Sequence, residues 1–239
     1  ADRTLSDKLY QRLNTYFGDL IQCIHEHDGT VIKLLGDGAF AIWNAPERQP
    51  NHQELACKAA IAIRDHLPDS MSTNVGFRFE TRIGLHFGAA SVGNLGSTER
   101  IDYTAIGTNV NVASRMEQLN KHLGTMILAS ESVISEVEDT IEARPVGFFK
   151  LKGLDRVMEV YEIVGPRGSK TQTLWVDAFD EALKQFRLQH WDAAEAGFKR
   201  VLELRGKDGP STFYLARLPD YRSKSLGKDW IGEIAMDEK

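Results

Sequence analysis

The chain has 239 residues, 42% of them hydrophobic and 26% charged, with a formal net charge of -5. That balance is of an ordinary globular protein, and its sign argues against nucleic acid as a partner, since such binders draw their affinity from cationic contacts to phosphates. Cys23 and Cys57 are too few for a disulfide framework and fit a reducing, cytoplasmic setting, while no apolar run reaches the length of a membrane span.

Leu5, Leu9, Leu13, Phe17, Leu20, Ile21 and Ile24 predict an amphipathic helix over 4–27, capped by Thr4 or Ser6 and ended by Asp28-Gly29. Two apolar runs, Thr30–Leu35 and Ala39–Asn44, flank Gly36-Asp37-Gly38 and predict a β-hairpin. Leu55, Ala59, Ala62, Ile63 and His66 mark a second helix that stops near Pro68. Residues 76–96 read as a second hairpin turning at Gly88. Glycines 84, 88, 93 and 96 there suggest bulges or close backbone approaches.

From Arg100 the pattern alternates, breaks at Gly107 and continues as a helix, with Asn111 and Arg115 four residues apart on one face. An amide and a permanent cation so placed can hold a sugar oxygen and a phosphate together, although an exposed helix face often carries such residues without a ligand. A strand at Met126–Ala129, a short helix capped by Ser130, and a strand pair at Val146–Gly153 and Val157–Val164 complete this part. The order α-ββ-α-ββ-α-β-α-ββ predicts an α+β domain with helices against an antiparallel-rich sheet. Residues 166–172 read as a linker. Beyond it, Ala178, Ala182, Phe186, Trp191, Ala194, Phe198, Val201 and Leu202 describe two helices joined near His190-Trp191, similar to a single tetratricopeptide unit. One unit cannot bury its apolar face alone, so it should dock on the first domain or on a partner. A third helix is expected near Pro210–Leu218, and Tyr221–Lys239 is expected to be irregular.

Four pieces together resemble a class III adenylyl/guanylyl cyclase catalytic domain: Val31–Gly38, Arg82–Gly96, the Arg100–Glu117 stretch and Lys150–Leu154. The resemblance covers most of residues 5–165 and implies a ferredoxin-like cyclase domain over 1–165, followed by a small all-α helical-hairpin tail over 173–239. Such a tail follows this domain in some bacterial membrane-bound cyclases. It implies an enzyme that converts ATP to 3′,5′-cyclic AMP and pyrophosphate at a homodimer interface, with two Mg²⁺ or Mn²⁺ ions as cofactors. Asp37 matches a metal-binding aspartate, Lys33 the purine-reading lysine, Asn111 the ribose-positioning residue, Arg115 the transition-state cation and Lys152 the lysine on the terminal phosphates. Thr104 stands where many members carry aspartate and resembles a bicarbonate-responsive adenylyl cyclase subgroup; it favours adenine over guanine. Along a strand Lys33 and Asp37 would lie roughly 13 Å apart, too far to grip one small ligand, in keeping with a site shared between two chains.

The chain opens at Ala1 without a Met and reads as a cut into a longer protein, whose upstream sensor or inner-membrane anchor would lie outside it. The family's first metal-binding aspartate follows a strand expected before Ala1, and neither Asp2 nor Asp7 has that context. The parent protein is therefore expected to be active and the 239 residues alone nearly inactive. The rival readings are a catalytically inactive cyclase-homology domain that binds nucleotide or dimerises, a diguanylate cyclase, and a scaffold around the helical tail. Gly38 occupies the acidic position of a diguanylate cyclase hairpin, which argues against the second.

Overall fold

The computed structural model describes residues 2–70, 81–97, 99, 101–154, 156–168, 173–227 and 229–236, with the side chains of 2–9, 68–70 and 173 excluded. The expected caps Thr4 and Ser6, the strand residues 77–80 and part of the linker therefore lie outside the described set. In chain order the elements are α1 (Asp2–His25), β1 (Thr30–Leu35), β2 (Gly38–Ile42), α2 (His52–Ser70), β3 (Ile83–Leu85), β4 (Ser91–Gly96), β5 (Ile101–Ile106) and α3 (Thr108–Leu123). They continue with β6 (Ile127–Ser130), α4 (Glu131–Ile134), β7 (Ile141–Leu151), β8 (Val157–Pro166), α5 (Thr173–Arg187), α6 (Trp191–Arg205), α7 (Gly209–Ser223) and β9 (Glu233–Met236). The α+β class read from the residue pattern is the class observed. The strands form three ladders, β1-β2, β4-β5 and a mixed sheet in the order β3-β6-β8-β7-β9.

Two compact units divide these elements. The first comprises Ala1–Thr81 and Phe87–Val110. Here α1 presents Tyr16, Leu20, Cys23 and Ile24 to the interior, and α2 presents Cys57, Ala60, Ile61 and Ile63. These spacings are the helical periodicity visible in the sequence. The β1-β2 hairpin pairs Thr30 with Ile42 and Leu35 with Gly38, slipping register between Val31 and Lys33. Its outer end is exposed, with Leu34 at 46% and Leu35 at 54%.

The second unit comprises Arg82–His86 and Asn111–Lys239. Its core joins α3 (Val112, Met116, Leu119, Leu123) to the sheet (Leu128, Val146, Phe149, Val160) and to α5–α7 (Phe179, Phe186, Phe198, Tyr214). The helices after residue 172 thus bury their apolar faces on the strands β7 and β8. A buried ionic cluster reinforces this. Arg144 is fully buried, donates to Glu162 at 2.7 Å and to Asp208 at 2.5 Å, and stacks over the Trp175 and Phe179 rings. Asp208 also caps α7 by accepting from the Ser211 N–H at 2.9 Å.

Three expectations are corrected. Residues on either side of Gly88 do not form a hairpin: β3 pairs in parallel with β6, whereas β4 pairs antiparallel with β5. Close packing explains the split. A Cβ at Gly84 would strike the Glu117 N and Ala113 O of α3, so β3 is held against that helix. At Gly88 the Asn109 side chain fills the space and donates to the Ala89 carbonyl at 2.7 Å, turning the chain toward β5. Ser130 occupies the N-cap position of α4 without a side-chain cap bond, because its hydroxyl is engaged by His86 at 2.7 Å and Ser132 at 3.0 Å. Finally, the stretch after Tyr221 is not irregular throughout, since Glu233–Met236 adds to the sheet as β9, parallel to β7. Four residues carry too short a pattern to announce a strand; the partner edge selects it.

Candidate active site

The residues singled out in the sequence fall three to each unit. In the first, Lys33 is exposed on β1 opposite Phe40, and Asp37 is exposed in the turn between β1 and β2. Thr104 is half-buried on β5, opposite Gly93. Burial raises the Tyr16 hydroxyl above the usual phenol range; its hydrogen bond with Thr81 at 3.1 Å opposes this, and the Asp37 charge adds to it.

In the second unit, α3 carries Asn111 and Arg115 one turn apart. The helix is launched by Gly107, whose φ of 144° suits glycine and lets β5 turn sharply into it. Asn111 is exposed. Arg115 is half-buried and donates from Nη1 to the Gln118 Oε1 at 2.8 Å, which fixes the guanidinium along the helix face. Lys152 follows β7 directly and is exposed. Arg115 and Lys152 come together as walls of one cleft of about 380 Å³.

That cleft is strongly cationic. Arg82 and Lys121 line it beside Arg115 and Lys152, against the single carboxylate of Glu117, and the His122 imidazole also faces it. Leu119, Leu151 and Met236 supply apolar wall. Fixed cations around a small concavity suit a polyanion, and the guanidinium can take two phosphate oxygens at once. Sequence reasoning missed Arg82, Lys121, His122 and Met236. A signal existed for His122, which recurs with Arg115 and Gln118 at helical spacing. Met236 had none, because its strand was not foreseen.

The metal expected from the resemblance fits these residues poorly. Among the described residues no group of three or more His, Cys, Asp or Glu side chains is placed to hold a metal ion. Hard divalent cations take about six oxygen ligands, and Asp37 by itself supplies too few.

Residues 2–165 match the family described as the adenylate and guanylate cyclase catalytic domain. The chain belongs to that family. Over 162 residues this cyclase domain is 41% identical to adenylate cyclase 1 of Rhizobium meliloti (strain 1021), covering 66% of the chain and 24% of that protein. A terminal-differentiation-specific adenylate cyclase of Dictyostelium discoideum is 28% identical over 227 residues, covering 91% of the chain and 10% of that protein, a span longer than the family match. The chain thus spans a quarter or less of these two relatives. Among solved structures, the adenylyl cyclase CyaB from P. aeruginosa superposes with a TM-score of 0.62 at 29% identity, covering 68% of this chain and 85% of that one. The fold of the cyclase domain is therefore the class III cyclase fold. Among the described residues no helix is long and apolar enough to cross a membrane.

Proposed function

We propose that this domain is the catalytic part of an adenylate cyclase, converting ATP to 3′,5′-cyclic AMP and pyrophosphate. The observation that carries the reading is the cationic cleft that Arg115 and Lys152 share within a cyclase fold. The ribose 3′-oxygen attacks the α-phosphorus, the bond from that phosphorus to the bridging oxygen breaks, and pyrophosphate leaves with the electron pair. Asn111 orients the ribose. Arg115 takes the charge that grows on the α-phosphoryl oxygens, and its bond to Gln118 holds it in place before the substrate arrives. Lys152 holds the terminal phosphates, and Arg82 and Lys121 add positive field.

Lys33 and Thr104 are assigned to the purine. A threonine hydroxyl can accept from the adenine amino group or donate to a ring nitrogen. The similarity to proteins named adenylate cyclases supports ATP over GTP. Asp37 would offer one ligand to the Mg²⁺ or Mn²⁺ ions that such a reaction uses, which would supply activation of the 3′-hydroxyl and charge neutralisation at the leaving phosphates. A homodimer with composite sites is supported by the exposed apolar side chains of the first unit, including Val92, Leu95, Ile101 and Ile106. The helix pair α5–α6 is assigned to the tetratricopeptide-like class on its spacing alone.

The test is cyclic AMP formation from Mn·ATP by the protein that carries this domain, with Mn·GTP in parallel. ATP turnover with Arg115→Ala reduced about 10²–10³-fold is the expected result. No cyclic nucleotide from the wild type, with purine nucleotide still bound, would instead make it a cyclase-homology domain without turnover. Added bicarbonate, raising turnover in the wild type only while Thr104 is intact, tests the subgroup.

A further inference from the structure

After α7 ends at Ser223 the chain returns to the sheet, and it returns to one place. β9 pairs with the end of β7, Phe148 opposite Glu233 and Leu151 opposite Met236. Met236 therefore sits beside the residue that precedes Lys152, and it lines the same cleft as Lys152 and Arg115. The strand is anchored through one face and through the turn that leads into it. Ile234 is 3% exposed within the core, and Trp230 packs its ring on Phe186, Trp191 and Tyr221 with centroids 5.4, 5.9 and 5.5 Å away. The Trp230 indole N–H also donates to the Glu233 carbonyl at 3.3 Å. At Gly232 a φ of 91° and the neighbouring Arg187 side chain leave no room for another residue type, so the turn into β9 is specified.

Without β9, residues 148–151 of β7 would lack a partner on that side. The turn at Lys152-Gly153, where Gly153 has a φ of 76°, would then hinge from a frayed strand end. We infer that the C-terminal strand is a wall of the phosphate cleft, and that Met236 is a positioning residue which sets how Lys152 meets the terminal phosphates of a nucleoside triphosphate. This rests on the cyclase reading for the identity of the nucleotide, but the wall itself can be probed with inorganic tripolyphosphate. The segment after α7 thereby supplies one wall of the cleft.

The experiment uses the protein that carries this chain, with Met236→Glu, which sets a carboxylate in the cleft, and Met236→Leu, which keeps the apolar wall. Met236→Glu should raise KM for Mn·ATP about tenfold and weaken tripolyphosphate binding by a similar factor, the size expected of one like charge beside a phosphate near a protein surface. Its kcat should stay within about twofold, and Met236→Leu should match the wild type. Simple loss of folded protein would lower kcat with KM unchanged, and that result overturns the inference. So does Met236→Glu with wild-type KM and wild-type tripolyphosphate affinity. If the wild type forms no cyclic AMP, the cyclase reading fails, and the tripolyphosphate arm alone decides the wall: weaker binding by Met236→Glu upholds it and equal binding overturns it.

Discussion

Two β-hairpins carry site residues, and they are built to different standards. β7-β8 lies inside a five-stranded sheet, with Val146, Phe149 and Val160 fully buried and Arg144 clamped between Glu162 and Asp208. β1-β2 is a two-stranded ribbon whose end exposes Leu34 and Leu35. The first delivers Lys152 from a rigid support; the second presents Lys33 and Asp37 on a support that its own unit anchors lightly. An isolated two-stranded hairpin is marginal in water, so precision at Asp37 requires contacts beyond the pair itself. The comparison teaches that the cationic cleft holding Arg115 and Lys152 belongs to the firmly packed second unit. Lys33 and Asp37 sit instead on a ribbon whose end exposes Leu34 and Leu35.

The largest effect that would test this contrast comes from Arg144→Ala. Removing one member of a buried ionic cluster leaves Glu162 and Asp208 uncompensated, and the second unit should lose about 3–5 kcal/mol, read as a lower urea midpoint by tryptophan fluorescence. A loss under about 1 kcal/mol would mean that the cluster does not secure β7-β8.

Next in size is an acid effect on the same cluster. Burial alone would raise the Asp208 carboxyl, but the Arg144 hydrogen bonds and charge, with the Ser211 contacts, outweigh it and leave the pKa lowered. A depressed folded-state value means that Asp208 contributes stability above the ordinary carboxylate range, near pH 4, and loses it as pH falls through the folded value. Asp208→Asn should therefore flatten the loss of stability below about pH 4 while lowering stability at neutral pH, checked by urea midpoints across that range. An unchanged acid slope would remove Asp208 from the account.

The smallest effect is expected at the ribbon. Leu35→Ser should change the stability of the chain by less than about 0.5 kcal/mol, since the side chain is already largely in water. If this surface is the dimer interface, the same substitution should weaken self-association in sedimentation equilibrium. Unchanged association would move the interface elsewhere.

Much of this was legible beforehand where one residue pattern sufficed. Leu20, Ile24 and Ile63 announced their helices by spacing, and the Gly36-Asp37-Gly38 turn announced its hairpin. The adjacency of Asn111 and Arg115 followed from helical periodicity alone. The four matched pieces pointed to the cyclase family before any coordinates, because each needs particular residue types in a particular order. What local pattern could not supply was pairing. A strand's residues state that it pleats, not which edge it joins, and that choice fell to contacts distant in sequence. Gly84 against α3 drew β3 to β6, and Asn109 over Gly88 directed the next strand to β5. The aromatic cluster around Trp230 brought four unremarkable residues, Glu233–Met236, to the end of β7. The sequence by itself determined the α+β class and the family, and it supplied the six residues proposed for the site. Only the tertiary structure decided that Lys152 and Arg115 share a cleft with Arg82, Lys121 and Met236, because burial and strand edges are properties of the packed chain and not of any single stretch.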